Sequence, residues 1–291
     1  MLGVTGPNEY ENNVNNNWYT NLMASWTMDY TIKSITKIQT KSPEKYKKLK
    51  EKIHFNELKE VGKWTNIVDN MYFPENEELG VFLQQDGYMD KELLTVEDLK
   101  PEERPINQKW SWDRILRSCF IKQADVLQGI YLFDDQYDKE TIQRNFDFYE
   151  PKTVHESSLS PCVHTILAAE LGYKEKAYEL YLRTARLDLD DYNDEVYQGL
   201  HITSMAGTYL SIVEGFGGMR LINDELHFNS FIPSKWNMYS FTVRYRENVL
   251  KVEVSKEKVT VSNQVGEKVR VFVRGVEYKI KERGSIDFYC N

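Results

Sequence analysis

The apolar residues of this chain change their spacing once, near Asn223, from the 3.6-residue period of helices to the two-residue period of strands. A single switch of this kind builds a helical region followed by a β region, and excludes the alternating βαβ pattern of a parallel sheet. On the strand side, Phe241, Val243 and Tyr245 alternate with polar residues. Leu250, Val252 and Val254 do the same, followed by Val259 and Val261, by Val269, Val271 and Val273, and by Tyr278 and Ile280. Glu247-Asn248, Ser255-Lys256 and Arg274-Gly275 stand where turns are needed. Residues 223–291 are therefore expected to form a small antiparallel β-sheet domain, too small to be independent and docked on the helices.

Residues 1–222 read as a mainly α domain with about eight helical segments. Trp18, Leu22, Trp26 and Tyr30 recur at i+4 in one wide stripe, Ser42-Pro43 starts a second helix, and Leu58, Val61, Trp64 and Val68 line a third. Between Phe73 and Lys109 regularity fails, as it does in functional loops. A helix is expected from Ser111 through Cys119 and Phe120, and another over residues 126–130. Asp138 should cap the next, and Ser160-Pro161 should start one that ends at Gly172. The nearly uncharged residues 200–213 are expected deep inside the helical domain.

Charge and cysteine usage narrow the function. The 37 Lys and Arg are outnumbered by 45 Asp and Glu, for a net charge of −8, so the basic footprint of a nucleic-acid binder is missing. Cys119, Cys162 and Cys290 are odd in number and scattered; they make neither a disulfide framework nor a metal cluster, and suit a reducing compartment. No run approaches the roughly 18 apolar residues that span a bilayer. The opening residues lack the basic and apolar regions of a signal peptide. The expectation is a cytoplasmic protein with no nucleic-acid or membrane partner. The 6 Trp and 19 Tyr offer flat faces with polar edges, which carbohydrate sites use and large cores use as well.

The segment most suggestive of chemistry runs over residues 3–21. Gly6-Pro7 forces a turn, and Glu9 follows it just before a long helix. A carboxyl walled there by Tyr10 and Trp18 would be partly desolvated, its pKa raised and its proton kept for a leaving group. The alternative is a polar, Asn-rich helix-entry loop that only caps backbone groups. Further along stand Lys122-Gln123-Ala124-Asp125-Val126, His155-Glu156-Ser157-Ser158-Leu159-Ser160-Pro161, His201-Ile202-Thr203-Ser204-Met205-Ala206-Gly207, Glu214-Gly215-Phe216-Gly217-Gly218, and Pro233 with Trp236. Taken singly, Lys122-Gln123 is a solvated pair, Ser157 and Ser158 are turn formers, Ser160 is an N-cap, and His201 is a core histidine. The glycines after Glu214 follow a helix, so a helix-ending turn explains them and the dinucleotide fingerprint fails.

In their order, over essentially the whole chain, these blocks resemble glycoside hydrolase family 65, the disaccharide phosphorylases that act on α-linked glucosides. The resemblance implies a C-terminal portion of an (α/α)6 barrel followed by a small antiparallel β-sandwich module. It further implies that this chain is the C-terminal part of a longer enzyme, whose sugar-gripping Trp-Asp pair lies upstream. Glu9 would be the general acid, Lys122 and Gln123 sugar-binding residues, and His155, Ser157, Ser158, His201 and Ser204 the phosphate cradle. The substrates would be a disaccharide and inorganic phosphate, with no metal and no organic cofactor, in a homodimeric full-length enzyme. Residues 10–13 and 84–86 are most similar to the maltose-cleaving branch, which yields glucose and β-glucose 1-phosphate. Cleavage of trehalose, kojibiose or nigerose is the alternative within the family. An inverting hydrolase, with Glu156 in the loop where a hydrolase of the family would place its base, and a non-catalytic carbohydrate-binding fragment are the further alternatives.

Overall fold

The computed structural model describes residues 1–289; Cys290 and Asn291 lie outside them. Asn17 starts α1 (Trp18–Lys41), its side chain accepting from the amide of Thr20. The apolar stripe of α1 divides in two. Trp18 is buried and stacks on Phe82, whereas Trp26 and Tyr30 are exposed and stack on each other. The far half of α1 lies over α2 (Pro43–Lys52) and α3 (Glu57–Asp69), with Ile35, Ile38, Leu49, Ile53 and Trp64 lining a shared apolar groove.

The irregular stretch that follows holds a two-residue hairpin, β1 (Glu75–Asn76) with β2 (Val81–Phe82), several 3-10 turns, and α4 (Ile106–Lys109). Ser111 caps α5 (Trp112–Arg117), but the helix ends at Ser118 and does not reach Phe120. Residues 118–121 are extended instead. Ser118 bridges to Glu92 and Ile121 to Thr153, and Tyr88 Oη donates to the Cys119 carbonyl, so partners distant in sequence override the local period. Next come α6 (Val126–Leu132), α7 (Lys139–Tyr149), α8 (Pro161–Leu171), α9 (Lys174–Ala185), α10 (Leu187–Asp190) and α11 (Ile202–Leu210). These are eleven α-helical segments among the described residues, more than the periodicity suggests, because α4 and α10 last only 4 residues. α8 is the centre of the helical layer: nine of its 11 residues are buried, against α6, α7, α9 and α11.

Residues 200–213 are not enclosed as expected. Ile202, Met205 and Tyr209 of α11 face outward, while Ser204 and Gly207 face α8 and α9. The reason is close approach. A Cβ on Gly207 would press on Cys162 at 2.9 Å, and Ser204 Oγ donates to the Thr184 carbonyl at 2.6 Å. The small residues make the packed face, which leaves the large apolar ones outside.

A π-helical turn, Ser211–Phe216, joins the helices to the sheets. Gly218 follows it at φ +56, where any Cβ would strike the backbone of Asn229. The strands are β3 (Met219–Ile222), β4 (Glu225–Phe228), β5 (Met238–Tyr245), β6 (Asn248–Ser255), β7 (Lys258–Val265), β8 (Val269–Val273), β9 (Val276–Ile280) and β10 (Ser285–Tyr289). They form two four-stranded sheets, ordered β10-β7-β6-β5 and β3-β4-β8-β9. Two features depart from expectation. The first strand begins at Met219, before the visible change of period, and β4 pairs with β8 in parallel within otherwise antiparallel sheets. The alternating valines of β6, β7 and β8 are buried as their period requires. Phe216 anchors the joint, its ring centroid 5.2 Å from Tyr181, 5.5 Å from Phe231 and 5.4 Å from Trp236.

Candidate active site

The turn that carries Glu9 is built before α1 and pressed against residues 121–125, which lie between the bridge at Ile121 and α6. Val4 pairs with Val14 across the base of the turn, with Val4 N donating at 2.8 Å and Val14 N at 2.9 Å. Asn8 stitches it inward. Its backbone amide donates to Asp125 Oδ2 at 3.1 Å, its Oδ1 accepts from the Lys122 amide at 3.0 Å, and its Nδ2 donates to Gln84 Oε1 at 3.2 Å. Gln84 and Gln85 are buried, and the Gln84 carbonyl accepts from Trp18 N and Asn17 Nδ2. The loop ending at residue 86 is thus a wall of the same structure. Glu11, two residues past Glu9, is buried in an ion pair with Lys91, and burial is the largest influence on its carboxyl, pushing its pKa up.

This arrangement brings Glu9, Lys122 and Gln123 together. Lys122 Nζ donates to Glu9 Oε2 at 2.6 Å, and Gln123 adds the smallest of the influences that lower the Glu9 carboxyl pKa. Gln123 is buried, and its Oε1 has no partner among the described residues. The environment of Glu9 is not the one expected. Its side chain is 57% exposed, Trp18 turns away into the core, and the hydrogen bond from Lys122 lowers the carboxyl pKa, outweighing a smaller upward push from burial. The pairing favours the ionised acid.

The two histidine segments meet as well, since the Ser158 and Thr203 hydroxyls lie 3.0 Å apart. His155, at φ 55, is buried, with Nδ1 2.8 Å from Ser160 Oγ and Nε2 without a partner among the described residues. Burial first, and then the neighbouring His164 and Arg183, hold its pKa well below that of a free imidazole, so the ring is neutral. Ser157 Oγ accepts from the Leu159 amide at 3.2 Å. His201 is fixed by Asp188, whose Oδ1 lies 2.5 Å from Nδ1 and whose Oδ2 accepts from the His201 amide. The Ser204 hydroxyl is committed to the Thr184 carbonyl.

Two orienting residues escape a sequence reading. Ser160 starts α8 without capping it; its hydroxyl holds His155 instead. Asp188 lies 13 residues from His201 with no motif to flag it. Glu156 does not stand as a free base. Its Oε2 accepts from Tyr10 Oη at 2.9 Å and from the Ile106 amide at 2.8 Å, and its Oε1 takes Arg104 Nε at 3.1 Å.

Residues 1–210 match the glycosyl hydrolase family 65 central catalytic domain, and residues 219–280 match the family's C-terminal domain. The chain is 55% identical over 271 residues to the maltose phosphorylase of Bacillus subtilis (strain 168), covering 93% of this chain and 35% of that protein. It is 41% identical over 269 residues to an α,α-trehalose phosphorylase of Thermoanaerobacter brockii, covering 92% of this chain and 35% of that one. A solved structure, "Putative kojibiose phosphorylase from human microbiome", superposes with a TM-score of 0.90 at 34% identity, over 100% of this chain and 39% of that chain. This chain thus spans about a third of the length of the curated relatives. The helices are a portion of the (α/α)6 barrel and the paired sheets are the β module behind it, and the chain belongs to glycosyl hydrolase family 65.

Proposed function

We propose that this chain supplies the acid and phosphate side of an inverting disaccharide phosphorylase that converts maltose and inorganic phosphate into glucose and β-glucose 1-phosphate. The observation that carries the reading is the Glu9 carboxylate held 2.6 Å from Lys122 Nζ, beside a buried Gln123 with an unpartnered Oε1. A carboxyl on the leaving oxygen and amine and amide groups on the sugar are the polar set such a cleavage needs. Similarity to a maltose phosphorylase at 55% identity favours maltose over the other α-linked glucose disaccharides.

The Lys122 pairing shapes the mechanism. Glu9 must be protonated to act, so the ammonium has to leave it, and a hydroxyl of the bound glucosyl ring is the acceptor that draws it away. Glu9 then gives its proton to the glycosidic oxygen as the C1–O bond breaks. A phosphate oxygen forms the new bond on the opposite face. The proton that phosphate loses on esterification returns through water to Glu9. Phosphate is already an anion and needs no base. It needs donors, which the Ser157, Ser158 and His155 loop and the His201 segment provide. The commitment of Glu156 to three protein donors argues against a water-activating role. No step calls for a metal or an organic cofactor.

The test is to supply the full-length enzyme with maltose, trehalose, kojibiose and nigerose, each with and without phosphate. Equimolar glucose and β-glucose 1-phosphate from maltose, only with phosphate, is expected. Glucose release that ignores phosphate would refute the reading. Glu9→Gln should lower turnover of maltose by roughly 10²- to 10⁴-fold, the usual worth of a general acid.

A further inference from the structure

Glu9 sits on a turn with no helix or sheet of its own, yet an acid must meet its leaving oxygen to within a fraction of an ångström. The residues on either side of it are held in an unusual way. Asn8, before it, gives its backbone amide to Asp125 Oδ2 at 3.1 Å. Tyr10, after it, is buried and gives its hydroxyl to Glu156 Oε2 at 2.9 Å. Both carboxylates are buried, and they come from positions 117 and 146 residues away in the chain.

We propose that Asp125 and Glu156 are positioning residues that fix the general acid Glu9 from both sides, one through Asn8 and the other through Tyr10. The proposal rests on the acid role of Glu9. Three further facts support it. Asp125 also takes Asn17 Nδ2 on both oxygens, at 3.0 and 3.2 Å, and Asn17 is the cap of α1, so one carboxylate locks the turn to the helix behind it. Gly6 lies against that carboxylate so closely that any Cβ there would overlap Asp125 and Asn17. Glu156 is held in turn by the Ile106 amide and Arg104, and it stands between His155 and Ser157. The acid turn and the proposed phosphate loop therefore share one anchor. The polar contacts made by both carboxylates are to protein donors, and Asp125 and Glu156 act through Glu9.

A positioning role and a purely structural one separate by leaving group. Maltose leaves as an alkoxide that must be protonated, whereas α-glucosyl fluoride expels fluoride without a full proton transfer. In the full-length enzyme with saturating phosphate, Asp125→Asn and Tyr10→Phe should each lower kcat on maltose roughly 10- to 100-fold, the range a misplacement of about 1 Å produces. KM for maltose should stay within about 2-fold, and kcat on the fluoride within about 3-fold, because neither substitution removes a group assigned to the sugar or to the phosphate. Equal losses on both substrates, or no loss on maltose, would overturn the proposal. Tyr10→Phe removes a single hydroxyl and carries the test if Asp125→Asn does not fold. Glu9→Gln is the control: if it spares maltose turnover, the acid role itself fails, whereas selective loss in Glu9→Gln without selective loss in the clamp variants overturns the clamp alone.

Discussion

Replacing Asp125 by Asn should change how the stability of this protein depends on pH. Asp125 is 2% exposed, and burial pushes its carboxyl from 3.8 up to about 7, against the smaller opposing pull of the Asn8 amide and the Asn17 side chain. The folded state therefore binds this proton more tightly than the unfolded chain does between those two values. Stability contributed by the protonated carboxyl is present at about pH 4 and is lost as pH rises through about 7. A shift of about three pKa units at 1.36 kcal/mol each amounts to about 4 kcal/mol. The Asn side chain cannot ionise, but it offers one acceptor oxygen where the carboxylate offers two, which adds a constant loss of about 1–3 kcal/mol. The assay is equilibrium denaturation of the full-length enzyme and of Asp125→Asn in parallel at half-unit steps from pH 4 to pH 8. The advantage of the natural protein over the variant should shrink by about 4 kcal/mol across that range, and the order of stability should invert in its lower half. Contributions from other titrating groups largely cancel in the difference, with Glu11, which adds a small upward push on Asp125, the one coupled exception. An advantage that stays flat or grows with pH would refute the reasoning, since it would mean that the two donors outweigh burial.

Three more outcomes follow from the same structure. Lys122→Met should raise the Glu9 pKa, because the hydrogen bond that lowers it goes while its partial burial stays; ¹³C NMR titration of the Glu9 carboxyl checks this, and an unchanged midpoint counts against the pairing. The His155 ring should remain neutral as the pH falls through the ordinary histidine value of 6.5, read from its ¹⁵N shifts, and stability should be lost as pH falls below that value. Phe216→Ala should cost about 3–5 kcal/mol by opening a cavity among Tyr181, Phe231 and Trp236; thermal unfolding measures it, and a loss under about 1 kcal/mol would show that those rings collapse to fill the space.

The sequence made some of this legible and hid the rest for physical reasons. The valines of β6, β7 and β8 sit where a two-residue period puts them, because each faces one core. Contact of Glu9 with Lys122 follows the motif order, although 113 residues separate them. The environment of Glu9 differs from the walled one its sequence neighbours suggest. The aromatic rings beside it in sequence are claimed by other partners, Tyr10 by Glu156 and Trp18 by Phe82, so neither walls the carboxyl. α5 stops early because the bridge partners of residues 118 and 121 are remote, and local spacing carries no trace of them. The outward face of α11 is not legible in its sequence, because an apolar, small-residue helix does not say which of its two sides packs. The parallel pairing of β4 with β8 is equally silent, since the period of a strand is the same in either direction.

The aromatic joint around Phe216 bears on how such a chain tolerates rearrangement. Trp236 and Tyr239, from the sheet side, interlock with Tyr181 and Phe216, from the helical side, at ring separations of 5.3 to 6.5 Å. Severing the chain after the π turn would strip cover from several rings at once and leave a greasy scar on the barrel. The trailing module is a keystone, not an accessory that can be grafted elsewhere or discarded, and swaps between relatives should be cut on one side of that cluster or the other, never through it.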